Sequence, residues 1–242
     1  KISLELGGKN PTIVFADADL KDAVTGAMRA AFTNQGQVCL CGSRILVERK
    51  IYDQFLSELV KATKQMKIGN PSDKNVDLGA VISHEHRDKV EEYIQLGIEE
   101  GGRVECGGKR PNLGAPWNNG AFLEPTIISG LSPNCRTATE EIFGPVATVH
   151  SFETEEEAVA ISNSINYGLA ASVWTRDLSR AHRVSANLES GMVWVNTWLL
   201  RDLRVPFGGM KDSGVGREGG RYSLDFFSEL RNVCIKMEGE DE

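Results

Sequence analysis

Residues 32–47 read F-T-N-Q-G-Q-V-C-L-C-G-S-R-I-L-V. They close an alanine-rich helical run, pass through Asn, Gln and Gly, and enter the apolar, strand-like run Ile45, Leu46, Val47. A helix feeding directly into a buried strand is the repeating step of an α/β sheet. Cys39 stands at that junction. A cysteine there is partly exposed among backbone N–H groups, which favours the thiolate, the form that acts as a nucleophile. A lone cysteine is also commonly a buried, inert packing residue, and this stretch alone leaves both readings open.

Outward from the junction the same alternation continues. Upstream, Pro11 to Phe15 reads as a short buried strand, and Asp19 caps a helix striped by Leu20, Val24, Ala27, Met28 and Ala31. Downstream, a strand over 44–48 leads to a helix over 51–67, striped by Ile51, Phe55, Leu59 and Met66 and stopped by Gly69, Asn70 and Pro71. A charged helix follows over 84–101 with Val90, Tyr93 and Ile94 inward. Residues 106–120, rich in Gly, Pro and Asn, form a surface excursion before strand character resumes at Phe122 to Ile128. A strand over 146–152 precedes a capping box, Thr154 with Glu157. Then come a strand over 171–175, a helix over 178–190 closed by Gly191, and a strand over 192–196. The pattern predicts an α/β fold with a doubly wound, mostly parallel sheet. After a Gly-rich loop and a short helix near 221–230, Asn232 to Met237 alternates as a solitary strand ahead of an acidic tail. A lone strand needs an edge to receive it.

Composition narrows the function classes. A chain of 242 residues with 40% hydrophobic and 25% charged residues is ordinary for a globular protein with a sizeable core. A net charge of -7 and the lack of any basic run argue against nucleic-acid or anionic-membrane partners. Five cysteines without a disulfide-framework spacing point to a reducing, cytoplasmic setting. No apolar run is long enough to span a membrane. Cys39 and Cys41 in C-L-C lack the further C-x-x-C or His pair that zinc requires, so no metal is expected.

Five motifs occur in order: L-E-L-G-G-K at 4–9, G-Q-V-C at 36–39, E-E-I-F-G-P at 140–145, V-W-V-N at 193–196, and P-F-G-G-M-K-D-S-G-V-G-R-E at 206–218. N-Y-G-L-A at 166–170 falls between them. Together they resemble the aldehyde dehydrogenase superfamily over nearly the whole chain. In that family L-E-L-G-G-K lies near the middle of the polypeptide, so the resemblance implies a catalytic half without the Rossmann half that holds most of the NAD. It further implies residues 1–10 as the end of the NAD-binding domain, 11–226 as the catalytic domain, and 227–242 as an oligomerisation arm and tail. The C-terminal strand would join a neighbouring subunit, making a homo-oligomer.

The resemblance also assigns roles. Cys39 would attack an aldehyde carbonyl, because an aldehyde carbonyl is not itself a good hydride donor, and the adduct would yield a thioester. Glu5 would activate the water that releases the acid, a task suited to a carboxylate whose pKa is raised by burial. The oxyanion would be held by the backbone N–H of Cys39 and by an asparagine outside this sequence. Glu141 would bind the nicotinamide ribose hydroxyls with Phe143 packed beside it, and Lys89 is a weaker ribose candidate on what otherwise reads as a solvated helix face. Asn196 reads as structural. G-V-G-R-E-G at 214–219 fits a dinucleotide fingerprint but does not directly follow a strand, so it is read as a turn near the substrate mouth.

In the family the loop over 196–209 lines the substrate tunnel, which makes Trp198, Arg201, Arg204 and Phe207 candidates for substrate binding. Arginine matches a carboxylate with its planar fork, so Arg201 and Arg204 suggest a substrate with a second acid group. The loop, with C-L-C-G-S-R, resembles the subgroup acting on 2-aminomuconate and 2-hydroxymuconate semialdehydes. Structural salt bridges remain the alternative for both arginines. Two other functions stay open at this point: a cofactor-free thiol esterase using Cys39 and Glu5, and a non-catalytic oligomerisation fragment.

Overall fold

The computed structural model describes residues 1–239; Glu240, Asp241 and Glu242, the end of the expected acidic tail, lie outside the described residues. A two-residue strand β1 (Leu4–Glu5) precedes β2 (Pro11–Val14), α1 (Leu20–Phe32), β3 (Arg44–Glu48) and α2 (Tyr52–Lys64). Then follow α3 (His84–Glu99), β4 (Arg103–Cys106), β5 (Thr126–Ser129), the single turn α4 (Arg136–Thr139), β6 (Val146–Phe152) and α5 (Glu155–Asn163). The last third holds β7 (Tyr167–Gly168), β8 (Ala170–Trp174), α6 (Leu178–Asn187), β9 (Met192–Val195), β10 (Met210–Lys211), β11 (Gly214–Val215) and α7 (Gly220–Phe227).

Seven strands form one sheet in the order β4-β5-β6-β3-β2-β8-β9. Every neighbouring pair is parallel except β4 with β5. Both faces are covered, which is why the central strands read as unbroken apolar runs. On one face Val14, Ile45, Val47 and Val149 meet Ala23, Ala27 and Ala31 of α1 and Phe55 and Leu59 of α2. On the other, Ile13, Leu46, Ala171 and Val173 meet Ala158 of α5 and Val184 of α6. Helix α3 lays Val90 and Ile94 on Ile128 and Val146. The expected doubly wound α/β class is the one observed.

Local differences have local causes. Asp19 caps α1 by accepting the Asp22 N–H at 3.1 Å, as expected. Thr154 caps α5, but the Glu157 carboxylate returns to the Glu153 N–H at 2.7 Å, one residue earlier than a capping box places it. Strand β5 starts only at Thr126, because Pro125 has no N–H to give a ladder. Helix α6 stops at Asn187 rather than Ser190, where Asn163 of α5 donates to the Asn187 carbonyl and accepts the Glu189 N–H.

The C-terminal strand is a correction. Asn232 to Met237 forms no strand; Val233, Ile235 and Met237 are all more than half exposed. Among the described residues its backbone groups meet no sheet edge, so no ladder forms there.

The chemistry-bearing motifs collect at the amino ends of the parallel strands. Glu5 lies six residues before β2, Cys39 five before β3, and Glu141 five before β6. Open α/β sheets more often bind ligands at the carboxyl ends, so this location is a property of this fold that strand order alone does not give.

Candidate active site

The nucleophile loop begins where α1 ends. Asn34, Gln35 and Gly36 take left-handed backbone conformations, which no helix can continue. Gly36 is required there, since a Cβ would stand 2.1 Å from the Gly144 carbonyl oxygen of the E-E-I-F-G-P motif. The chain then bends through Val38 to Cys41, closed by the Cys41 N–H donating to the Val38 carbonyl at 2.9 Å, and enters β3.

The L-E-L-G-G-K-N motif ties this loop to two others. β1 pairs antiparallel with β11, setting Glu5 opposite Gly214. One residue past Leu6, Gly7 takes φ +90°, and a Cβ there would meet a Glu141 carboxylate oxygen at 2.3 Å. The Gly8 N–H donates to Glu141 Oε1 at 3.0 Å. Asn10 Nδ2 donates to the carbonyls of both Cys39 (2.8 Å) and Cys41 (2.9 Å), while its Oδ1 accepts the Ala170 N–H at 2.9 Å. Asn10 was not singled out by sequence reasoning; the only signal was an amide at the mouth of a buried strand.

Cys39, Glu5 and Glu141 share one electrostatic neighbourhood. Burial pushes the Cys39 thiol up, and the Glu5 and Glu141 carboxylates push it further, against the pull of the Cys39 and Leu40 N–H groups. This corrects the expectation that N–H groups at the junction favour the thiolate: they are present but outweighed. Burial also raises Glu5, reinforced by Glu218 and opposed by the Gly209 N–H and Arg217. Burial raises Glu141 above the usual carboxylate range, against the Gly8 N–H and the ammonium groups of Lys9 and Lys89. Cys41 is buried and pushed up to about 12, which leaves Cys39 as the accessible thiol of the C-L-C pair. Among the described residues no cluster of His, Cys, Asp and Glu is arranged to hold a metal.

The residues assigned to the nicotinamide ribose stand together. Glu141 Oε2 has no hydrogen-bond partner among the described residues, so its lone pairs are free for vicinal hydroxyls. Phe143 holds a left-handed conformation (φ 58°) with its ring over a third exposed, and its carbonyl accepts from His86 Nε2 at 2.6 Å. Lys89, exposed on α3, is close enough to act on the Glu141 charge. This donor and acceptor set fits a ribose. G-V-G-R-E-G does not offer a pyrophosphate loop: Gly214 and Val215 are committed to β1, and Arg217 donates back to the Gly209 and Gly216 carbonyls.

The four substrate candidates separate. Arg201 and Phe207 line a cavity of about 430 Å³ with Trp194, Leu203 and Glu218, the guanidinium carbon 4.9 Å above the Phe207 ring centre. Phe207 and Cys39 pack against the same apolar cluster, Leu40, Leu169, Ala170 and Trp198. Arg204 does not line that cavity; its guanidinium pairs with Asp202, two residues back, and is 87% exposed. Trp198 is buried, with its indole N–H donating to the Leu40 carbonyl at 2.9 Å, so it sits behind the nucleophile rather than in the cavity. Asn196 bonds Thr175 in both directions, as a structural tie between β9 and β8.

Two fully buried cations lie under the site. Arg44 gives its NH2 to the Pro133 carbonyl (3.1 Å) and the Ser164 hydroxyl (3.2 Å), with no carboxylate partner among the described residues. Lys9 Nζ donates to the Thr137 carbonyl at 3.0 Å, and burial with the nearby Arg44 charge lowers its pKa to about 7.

The molecule resembles known proteins in sequence and shape. The chain is 52% identical to 2-aminomuconic semialdehyde dehydrogenase of Danio rerio over 238 residues, which cover 98% of this chain and 49% of that protein. It is 51% identical to 2-hydroxymuconic semialdehyde dehydrogenase of Pseudomonas sp. (strain CF600) over 236 residues, with the same coverage. The crystal structure of betaine aldehyde dehydrogenase from Staphylococcus aureus in complex with NAD+ superposes with a TM-score of 0.91 at 44% identity, covering 94% of this chain and 45% of that one. The chain thus spans about half the length of the curated relatives it matches. The pattern that defines the aldehyde dehydrogenase family matches residues 1–233, a span that includes all the loops just described, and the chain belongs to that family.

Proposed function

We propose that this chain supplies the catalytic half of an NAD-dependent aldehyde dehydrogenase whose substrate carries a second carboxylate, such as a 2-aminomuconate-type semialdehyde. The observation that carries this reading is the convergence of two carboxylates from distant motifs, Glu5 and Glu141, on Cys39: each acts on its sulfur, and the Gly8 N–H, three residues past Glu5, donates to Glu141. Cys39 Sγ gives its proton to solvent water and forms a bond to the aldehyde carbon, and the oxygen becomes an oxyanion faced by the Cys39 N–H. NAD, held at its ribose by Glu141, would supply the acceptor for the hydride that turns this adduct into a thioester. The resulting thioester is cleaved by water, whose proton Glu5 takes; the acid departs and the sulfur is regained. Glu141 and Lys89, with Phe143, orient the ribose. Burial, which raises the Glu5 carboxyl, suits its role as the base.

Arg201 is the residue we assign to the substrate's distal carboxylate. It has no carboxylate partner in the described structure and faces the cavity, whereas Arg204 is already neutralised by Asp202. We further propose that residues 227–242 reach a sheet edge of a second copy, giving a homo-oligomer, and that residues 1–10 close a cofactor-binding domain, with 11–226 as the catalytic body. The exposed, alternating Val233, Ile235 and Met237 support the first of these. Among the described residues no helix is long and apolar enough to cross a membrane.

The test uses the full-length protein: NADH formation from a carboxylate-bearing semialdehyde, compared with a neutral aldehyde. Cys39→Ala should abolish NADH formation. Arg201→Ala should lower kcat/KM for the acidic aldehyde by about 10- to 100-fold, the worth of a charge-assisted bidentate contact, and leave the neutral one unchanged. Equal losses on both would remove Arg201 from substrate recognition.

A further inference from the structure

The backbone at the nucleophile is held in an unusual way. Three consecutive carbonyls, those of Cys39, Leu40 and Cys41, are each taken by a side-chain N–H from another part of the chain. Asn10 Nδ2 takes the first and third at 2.8 and 2.9 Å, and Trp198 Nε1 takes the second at 2.9 Å. The N–H groups of Cys39 and Leu40 donate to no backbone carbonyl among the described residues, and both act on the Cys39 sulfur.

A peptide plane is rigid, so fixing its C=O fixes the N–H of the next residue. Holding the Cys39 carbonyl aims the Leu40 N–H. Holding the Leu40 carbonyl fixes the Cys41 N–H, which donates to the Val38 carbonyl at 2.9 Å and so fixes the Cys39 N–H of that plane. Both donors are themselves locked. Asn10 is 2% exposed and its oxygen is engaged by the Ala170 N–H, which fixes which way its amide points; Trp198 is 8% exposed in the apolar cluster behind the loop.

We propose that Asn10 and Trp198 are positioning residues that hold the three carbonyls of residues 39–41 and thereby aim the Cys39 and Leu40 N–H groups at the reacting sulfur and the oxyanion formed beside it. This rests on the assignment of Cys39 as nucleophile. It gives Trp198 a task other than contact with the aldehyde. Donors aimed before reaction stabilise developing charge without reorganisation, so the loss falls on the transition state rather than on substrate binding.

The experiment uses the full-length enzyme and two conservative variants. Trp198→Phe keeps the ring in the cluster and removes one N–H. Asn10→Asp keeps the acceptor for Ala170 and puts an oxygen where Nδ2 donates. Three readouts are taken: kcat and KM for aldehyde, the pH profile of Cys39 alkylation by iodoacetamide without substrate, and thermal midpoint. The expected result is a fall in kcat of about 10-fold for Trp198→Phe and about 100-fold for Asn10→Asp, with KM within about twofold. The alkylation profile moves to higher pH in both. A fall in thermal midpoint and activity together, with the alkylation profile unmoved, overturns the proposal and leaves both residues structural. Unchanged kcat in both variants overturns it as well. A parent enzyme whose Cys39 resists iodoacetamide and which makes no NADH defeats the functional reading instead, which is a separate result.

Discussion

The Gly8 N–H donates to Glu141 Oε1 at 3.0 Å, joining the segment that carries the general-base candidate to the carboxylate assigned to the cofactor ribose, 133 residues away in the chain. The neighbouring Gly7 makes that contact sterically feasible. Its φ of +90° disfavours any side chain, and a Cβ would stand 2.3 Å from Glu141 Oε2.

Gly7→Ala is therefore expected to do two things at once. The left-handed backbone costs about 1–2 kcal/mol of stability, and the displaced Glu141 raises the KM for the cofactor by about tenfold or more. Gly101→Ala separates the two effects: Gly101 has φ +91° but nothing within 4 Å of a Cβ. It should lose similar stability and leave the cofactor KM alone. If both variants changed the cofactor KM equally, the Gly7–Glu141 contact would have no part in cofactor binding.

Glu5→Gln should act in opposite directions on the two halves of the reaction. Thioester hydrolysis should slow by about 10²–10⁴-fold, the usual contribution of a general base. The Glu5 carboxylate also pushes the Cys39 thiol up, so removing its charge lowers the thiol pKa and speeds alkylation at pH 7. A burst of NADH followed by near-zero steady turnover, measured by stopped flow, is the expected signature. Slower alkylation in Glu5→Gln would show that the glutamate activates the thiol instead of opposing it.

Much of this architecture was readable because it depends on short-range pattern. Strands over 44–48 and 146–152 are observed with those bounds, since an apolar run between turn signals has few alternatives in a two-sided sheet. The Asp19 cap is equally local. What escaped reading depends on partners far along the chain. The thiolate at Cys39 was expected from its own junction, and the two carboxylates that outweigh those N–H groups come from residues 5 and 141. Asn10 and Trp198 carry no local mark of their bonds to residues 39–41, because side-chain donors to a bent loop follow no period. Arg204 is the opposite case: Asp202 was visible two residues away, and its claim on the guanidinium outranks the motif.

The exposed tail yields a prediction about assembly. Leu224, Phe227, Val233, Ile235 and Met237 are all well over half exposed, a strip longer than monomers usually leave bare. Truncation of the full-length protein after Phe227 should give a smaller particle by light scattering while the helical far-UV circular dichroism changes little, since residues 228–239 hold no helix. An unchanged particle mass would remove the tail from the interface.

Lys9 makes stability depend on pH in a direction that can be worked out. Its ammonium is buried and its pKa in the folded chain is lowered to about 7, with burial the main cause and Arg44 the next. In the unfolded chain a lysine titrates near its ordinary value of about 10.4. Between those values the unfolded state binds more protons than the folded one, so this residue makes stability rise with pH, by up to about 1.4 kcal/mol per pH unit. Below pH 7 both states are protonated and the full penalty of burying the charge is present. Lys9→Met keeps most of the volume, deletes the titration and leaves the Thr137 carbonyl without the Lys9 donor. Its stability relative to the parent should be most favourable at pH 6–7 and should decline steadily toward pH 10, as the parent sheds the proton. Thermal midpoints of the two proteins, compared at the same pH from 6 to 10, test this, and the comparison cancels the cysteines and tyrosines that titrate over the same range. A constant difference across that range would mean that the Lys9 amine keeps its proton in the folded protein, with Glu141 and Glu140 supplying more compensation than burial removes.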